Sequence, residues 1–219
     1  MVDLQFLRCV DPSTNPISKS RHLLPHWSQG ETCVFVTFRL CDSIPRAKLR
    51  FWRLEREEWL VSHPEPWDET DREEYGKLFG ARLDEWLDAG SGSCVLDSPG
   101  IRPVVCNELQ RHDGELYSLL AFVVMPNHVH VVFSPFPSTD ISQIIQLWKG
   151  RSARVINQSS SKSGAVWQRE YWDRLVRDAR HLLHVVNYIR RNPLKAGRSD
   201  IPVYLQPGLL DAFGKALAM

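Results

Sequence analysis

The sequence predicts a single α+β domain. Runs rich in β-branched and aromatic residues at 32–40, 114–124 and 128–133 have the length and composition of strands. Segments with helical apolar spacing separate and follow them. The two strand-like runs around "MPN" lie close enough in sequence to pair as an antiparallel hairpin at the centre of a sheet.

Taken in order, "DPSTNPISKSRHLLPHW" is loop-like, and "TCVFVTFRL" is a strand expected to be buried on both faces. From Arg46 to Ala89 the chain is acidic and mostly helical. Leu54, Trp59 and Leu60, then Leu78, Leu83, Trp86 and Leu87, fall near helical spacing, with "SHPEPWDET" as the break between two helices. Because strands resume after "DAGSGSC", residues 46–89 are expected to be an acidic helical insertion within one domain spanning 1–219. "GELYSLLAFVV" and "HVHVVF" form the hairpin. Asp140 is placed to cap a helix carrying Ile141, Ile144, Ile145, Trp148, Val155 and Ile156. "AVWQREYWDRLVR" reads as a further strand, and Asp178 caps a last helix that Pro193 is expected to stop near Arg191.

With 43% hydrophobic and 24% charged residues, the 219-residue chain has the composition of a folded globular protein. No apolar run approaches the ~20 residues of a membrane helix, and the start lacks a basic, apolar leader, so a cytoplasmic protein with no membrane partner is expected. Cys9, Cys33, Cys41, Cys94 and Cys106 are scattered and form no C-x-x-C pair, which excludes a zinc knuckle and argues against a disulfide scaffold. The net charge of +1 hides a separation. Residues 51–88 hold five Lys/Arg against twelve Asp/Glu, whereas residues 149–195 hold eleven against three. The second stretch suits a polyanion.

In a strand, residues i and i+2 share a face, so His128 and His130 point together and can share a divalent ion, with Asn127 beside them in the turn. A lone H-x-H is weak evidence, since two histidines on a half-exposed strand are commoner than a metal site. The last helix adds to it. At about 100° per residue, its aliphatic residues share one arc, while His181, His184, Tyr188, Arg191 and Asn192 cluster opposite. Asn192 lies one turn beyond Tyr188, so its amide oxygen can join the same site.

"VVMPNHVHVVF", followed by "LWKGRSARVIN", "VWQREYWDRLVRD" and "YIRRNPLKAG", resembles the REP-associated tyrosine transposases of the HUH single-tyrosine superfamily, over most of the chain from Cys33 to Gly197. The acidic segment resembles that of the larger members. The resemblance implies a ferredoxin-like or RNA-recognition-motif-like antiparallel sheet flanked by helices. It implies His128 and His130 as the metal pair, Tyr188 as nucleophile, Asn192 as third ligand, and hairpins of palindromic repeats as DNA target. Tyr171 in "REYWDR" is the reserve nucleophile.

A phenol with a pKa near ~10 needs positive charge or a proton acceptor to attack, and His184 is the candidate acceptor. Two imidazoles and an amide without thiolates suit Mg²⁺ or Mn²⁺. Asn127, Lys149, Arg151, Arg154, Arg174, Arg177, Arg180 and Arg191 are candidate contacts to single-stranded DNA, with Trp167 and Trp172 as base platforms and Trp148 equally suited to the core. The expected activity is a metal-dependent endonuclease and strand transferase that passes through a 5′-phosphotyrosine, as a monomer or homodimer. The competing readings are a non-catalytic nucleic-acid-binding regulator on the same scaffold, against which the intact His128, His130 and Tyr188 argue, and a metal-dependent hydrolase of small phosphoesters.

Overall fold

A computed structural model describes residues 18–21, 25–28, 31–161, 163–209 and 213–214. Its centre is a five-stranded, wholly antiparallel sheet. Strand β3 (Val34–Arg39) pairs with β5 (His128–Pro135) on one side and β6 (Trp172–Leu175) on the other. Beyond β5 lie β4 (Tyr117–Val124) and then β7 (Val203–Leu205), giving the order β6-β3-β5-β4-β7. With helices α4 (Arg102–Gln110) and α5 (Ile141–Ser159) between strands, the run β3-α4-β4-β5-α5-β6 is ferredoxin-like.

Alternation sorts the side chains into two layers. Val34, Val36 and Phe38 of β3 and Val129, Val131 and Phe133 of β5 pack with α4 and α5. On the other face, Val132 and Val123 meet Leu182, Val185, Val186 and Ile189 of α6 (Ala179–Lys195). A bulge between Leu119 and Ala121 puts Leu120 and Ala121 together on the α6 side before alternation resumes. His128 and His130 therefore belong to the α6 face.

Asp140 and Asp178 act as expected, accepting the backbone N–H of Ser142 at 2.7 Å and of His181 at 2.7 Å. Several expectations are corrected. The loop-like stretch before residue 30 contains an antiparallel pair, β1 (Ser18–Arg21) with β2 (Pro25–Ser28), made by backbone ladder bonds that its polar composition did not signal. Helix α4 was missed because it is short, although Ile101, Val105 and Leu109 recur every fourth residue. The strand expected over 165–177 shrinks to β6, with Trp167 making one isolated bridge to Leu40. Pro193 does not stop the last helix. It sits inside the final turn, which closes at Gly197 with φ 69°.

The acidic segment folds as α1 (Arg46–Ser62), α2 (Glu69–Tyr75), a π-helical turn at Gly76–Gly80, and α3 (Ala81–Asp88). Of the expected stripe, Trp59, Leu60, Leu83 and Trp86 join its core, but the buried centre is aromatic. Trp52, Trp59, Tyr75 and Phe79 are buried together, while Leu54 is 58% exposed. The π turn adds a residue to the helical phase, bringing Leu83 and Trp86 round to the face of Phe79. No helix among the described residues is long and apolar enough to cross a membrane.

Candidate metal and tyrosine site

The turn Met125–Asn127 is closed by the Met125 N–H donating to the His128 carbonyl at 2.9 Å, so the histidines open β5 against a fixed corner. Both imidazoles are fully buried. Burial pushes the His128 pKa down to about 3 and that of His130 well below its ordinary value, helped by His128 and Lys195 nearby. Both rings are therefore neutral near pH 7, the form that binds a metal.

Hydrogen bonds fix the tautomers. The His128 Nδ1–H donates to Asn127 Oδ1 at 2.7 Å, which leaves its Nε2 as a lone pair. That lone pair faces His130 Nε2 at 3.0 Å, so His130 carries its proton there and accepts from the Thr37 hydroxyl at Nδ1, 2.8 Å away. A hydroxyl both donates and accepts. His130 can thus move its proton to Nδ1 and free Nε2 without losing Thr37. Two ligands at about 2.1 Å from an octahedral ion stand roughly 3 Å apart when they subtend a right angle. The imidazole spacing already matches that.

Tyr188 reaches the same point from α6. Its hydroxyl is 3.3 Å from His130 Nε2, and its ring meets His130 and Phe35 edge-on at 5.1 and 5.8 Å. Asn192, one turn on, is 1% exposed. Its amide nitrogen donates to Asp88 Oδ1 at 3.4 Å, but Oδ1 is buried without a partner. An orphaned buried carbonyl oxygen one helical turn from Tyr188, whose hydroxyl meets the imidazoles, suits a hard divalent ion.

Two residues of this constellation were not foreseen as site residues. Asp84 of α3 lies near enough to Tyr188 for each to shift the other's ionisation, and Asp88 pairs with Lys195 at 2.7 Å. Burial first, then the charges of Asp84 and Asp88, raise the phenol far above its ordinary pKa. Thr37 was also missed, though a lone threonine in the middle of "VFVTFR" is a visible break in an apolar strand.

Other assignments are corrected. His184 lies exposed on α6, and the Tyr188 hydroxyl meets His130 instead. Asn127 is buried, orienting His128 and donating to Ser91 O at 3.0 Å, so it is no DNA contact. Lys149 directs its ammonium to the carbonyls of Gln168, Arg169 and Glu170 over the rings of Phe38 and Tyr171, and burial lowers its pKa to about 8. Trp148 and Trp167 are buried, donating to Tyr117 and Ser152, and offer no base platform. Trp172 stacks on Tyr75 of the insertion at 5.7 Å. Arg174 lies against the glycines of the π turn, where a Cβ at Gly76 would stand 3.5 Å from its guanidinium.

Arg151 and Arg154 are exposed on α5, the layer opposite the histidines, and Arg151 bonds His112 at 2.8 Å. Arg177, Arg180 and Arg191 are exposed along or just before α6, on the site's own side of the sheet. Tyr171 packs in the α5 layer, across the sheet from the imidazoles, which favours Tyr188 as nucleophile.

A ferredoxin-like sheet here joins an H-x-H pair to a helix-borne tyrosine, and known proteins share features with this chain. Residues 104–192 match the family model described as "Transposase IS200 like", and this similar stretch holds His128, His130, Tyr188 and Asn192. Thr37, Asp84 and Asp88 lie outside the matched stretch. The relatives bear out the resemblance to REP-associated tyrosine transposases. One of that description from Escherichia coli K12 is 28% identical over 82 residues, 37% of this chain and 47% of the relative. A Haemophilus influenzae protein described in the same terms is 25% identical over 96 residues, 39% of this chain and 54% of the relative. The chain thus spans about half the length of the curated relatives it matches. A solved REP-associated tyrosine transposase bound to a REP hairpin superposes with a TM-score of 0.43 at 16% identity, covering 84% of this chain and 76% of that one.

Proposed function

We propose that the protein is a metal-dependent single-stranded DNA endonuclease and strand transferase that acts on hairpin or palindromic repeat DNA through a 5′-phosphotyrosine. The observation that supports it most is the approach of the Tyr188 hydroxyl to within 3.3 Å of His130 Nε2, itself 3.0 Å from His128 Nε2. The repeat-DNA substrate is supported by the curated relatives' description as REP-associated, and the hairpin form is what the sequence resemblance implies.

His128 Nε2, His130 Nε2 and Asn192 Oδ1 would hold Mg²⁺ or Mn²⁺. Such an ion, when bound, polarises phosphoryl oxygens and stabilises developing negative charge. The residues of the chain do the rest. Asn127 and Thr37 hold the imidazoles in register. Phe35 and the α6 aliphatics keep water from the buried side of the phenol. Tyr188 attacks the scissile phosphorus, leaving its 5′ side on the phenolic oxygen and a free 3′-OH. Because the phosphoester is kept in that link, a second 3′-OH can reverse the step and join strands without a nucleotide cofactor. Histidines, amide and tyrosine come from one chain, so a monomer suffices.

Incubation with labelled hairpin DNA and Mn²⁺, followed by denaturing electrophoresis, tests this reading. Label should stay with the protein, and be absent with a chelator and in Tyr188→Phe. Cleavage without an adduct would instead mark a hydrolase, and retardation on a native gel with neither would mark a regulator.

A further inference from the structure

Three of the five large apolar side chains that stand exposed among the described residues, Phe51, Leu54 and Val61, lie on helix α1. Single exposed apolar residues are ordinary, but these form a line. With the exposed Ala47 and Glu58 they follow a 4-3-4-3 spacing, the seam of a coiled coil. The opposite face of the helix holds the buried Trp52, Arg56 and Trp59, and its two tryptophans pack with Tyr75 and Phe79. The seam therefore points away from the insertion's own core.

Charge along α1 says what covers that seam. Residues 46–53 hold four basic side chains and no acid, whereas 54–62 hold Glu55, Glu57 and Glu58 against Arg56, which is buried. A helix basic in its first half and acidic in its second is complementary to a second copy of itself running the opposite way. The match holds residue by residue. In the antiparallel register that sets Phe51 against Leu54 of the second copy, Arg50 falls opposite Glu57 and Lys48 opposite Glu55, one pair on each flank of the seam. Each contact occurs twice, as a two-fold axis requires. A parallel pairing would instead set Glu58 against itself and basic end against basic end. Lys48 and Glu55 already touch Trp86 and Arg82 of their own chain, so Arg50 and Glu57 fix the register. DNA does not suit this face, because its glutamates repel phosphate.

We propose that the protein forms a two-fold homodimer through α1, with Phe51 and Leu54 of the two copies interleaved at its centre and Val61 of each over the start of the other's helix. The proposal stands apart from the nuclease reading. The chemistry needs one chain, and the dimer puts two such chains in one particle. One helix from each side makes a small interface, short of the roughly 1,000 Å² expected of a stable one, so the dimer is weak and its population follows concentration.

Sedimentation equilibrium of the full chain without DNA, from about 1 to 300 µM, tests it, and the average mass should rise from one chain toward two. Leu54→Glu and the single charge reversals Arg50→Glu and Glu57→Arg should each hold the mass at one chain. Their far-UV dichroism should match wild type, since all three side chains are exposed. Arg50→Glu mixed with Glu57→Arg should associate again, because every acid at these positions then meets a base on the other chain, and added salt should weaken that pair as it weakens the wild-type dimer. A wild-type mass of one chain throughout the range overturns the proposal. A dimer that Leu54→Glu leaves intact overturns it too, by placing the contact elsewhere, as does a failure of the mixed reversals to associate. Absence of a DNA adduct counts against the nuclease reading alone.

Discussion

The sheet and the insertion reach the same tyrosine by different routes. In the sheet, position follows from a period of two. His128 and His130 must share a face, and the apolar residues between and after them decide which face is covered. In the insertion, position follows from an aromatic cluster and a π turn. Asp84 and Asp88 are set by how Trp52, Trp59, Tyr75 and Phe79 pack and by where Gly76 and Gly80 let α3 begin. A site built half by periodic structure and half by irregular packing shows only its periodic half in the sequence.

The largest effect should come from breaking the sheet half. His130→Ala removes a proposed ligand and the neighbour of the Tyr188 hydroxyl, and should reduce adduct formation by about 1,000-fold or more in a quenched time course, while hairpin retardation persists. Breaking the insertion half should do less to chemistry and more to stability. Trp59→Ala, in the aromatic cluster, should cost about 3–5 kcal/mol of unfolding free energy in denaturant titration and slow the adduct by loosening α3, leaving Mn²⁺ affinity intact. A drop in Mn²⁺ affinity there would mean that the two halves are not separable.

What could be foreseen divides along the same line. The hairpin, the helix caps, the shared face of His128 and His130 and the place of Tyr188 on α6 come from spacing and capping chemistry, whereas the roles proposed for these residues came from the resemblance. The ring of Tyr188, however, packs against the β5 histidine rather than standing on a polar face. Asp84 was hidden among many acids in a segment whose phase the π turn shifts, and the exposed Leu54 misdirected the reading of its buried face. Lys149 and Trp167 looked like DNA contacts because basic and aromatic residues alternate there. Burial against Phe38 and the 168–170 backbone decided otherwise.

Smaller effects sharpen the comparison. Asn127→Ala removes the acceptor that orients His128 and should weaken Mn²⁺ binding by about 10–100-fold in a calorimetric titration. For the metal-free protein, stability should fall with acid. The folded pKa of His128, about 3, lies below its unfolded value near ~6.5, so the unfolded chain binds the extra proton first. The stability attached to this neutral ring is complete above about pH 6.5 and is lost as pH drops toward about 3, which denaturant midpoints in chelator would follow. Arg154→Ala, on the layer away from the site, should change hairpin affinity less than about twofold, against a larger loss and a shallower salt dependence for Arg191→Ala.

The convergence of Tyr188 with the two imidazoles is tested most directly by mapping the covalent link. After reaction with hairpin DNA and Mn²⁺, nuclease trimming and trypsin, mass spectrometry should find the nucleotide on the peptide 181–190, which carries Tyr188. A nucleotide found instead on the peptide 170–174, which carries Tyr171, would contradict the assignment.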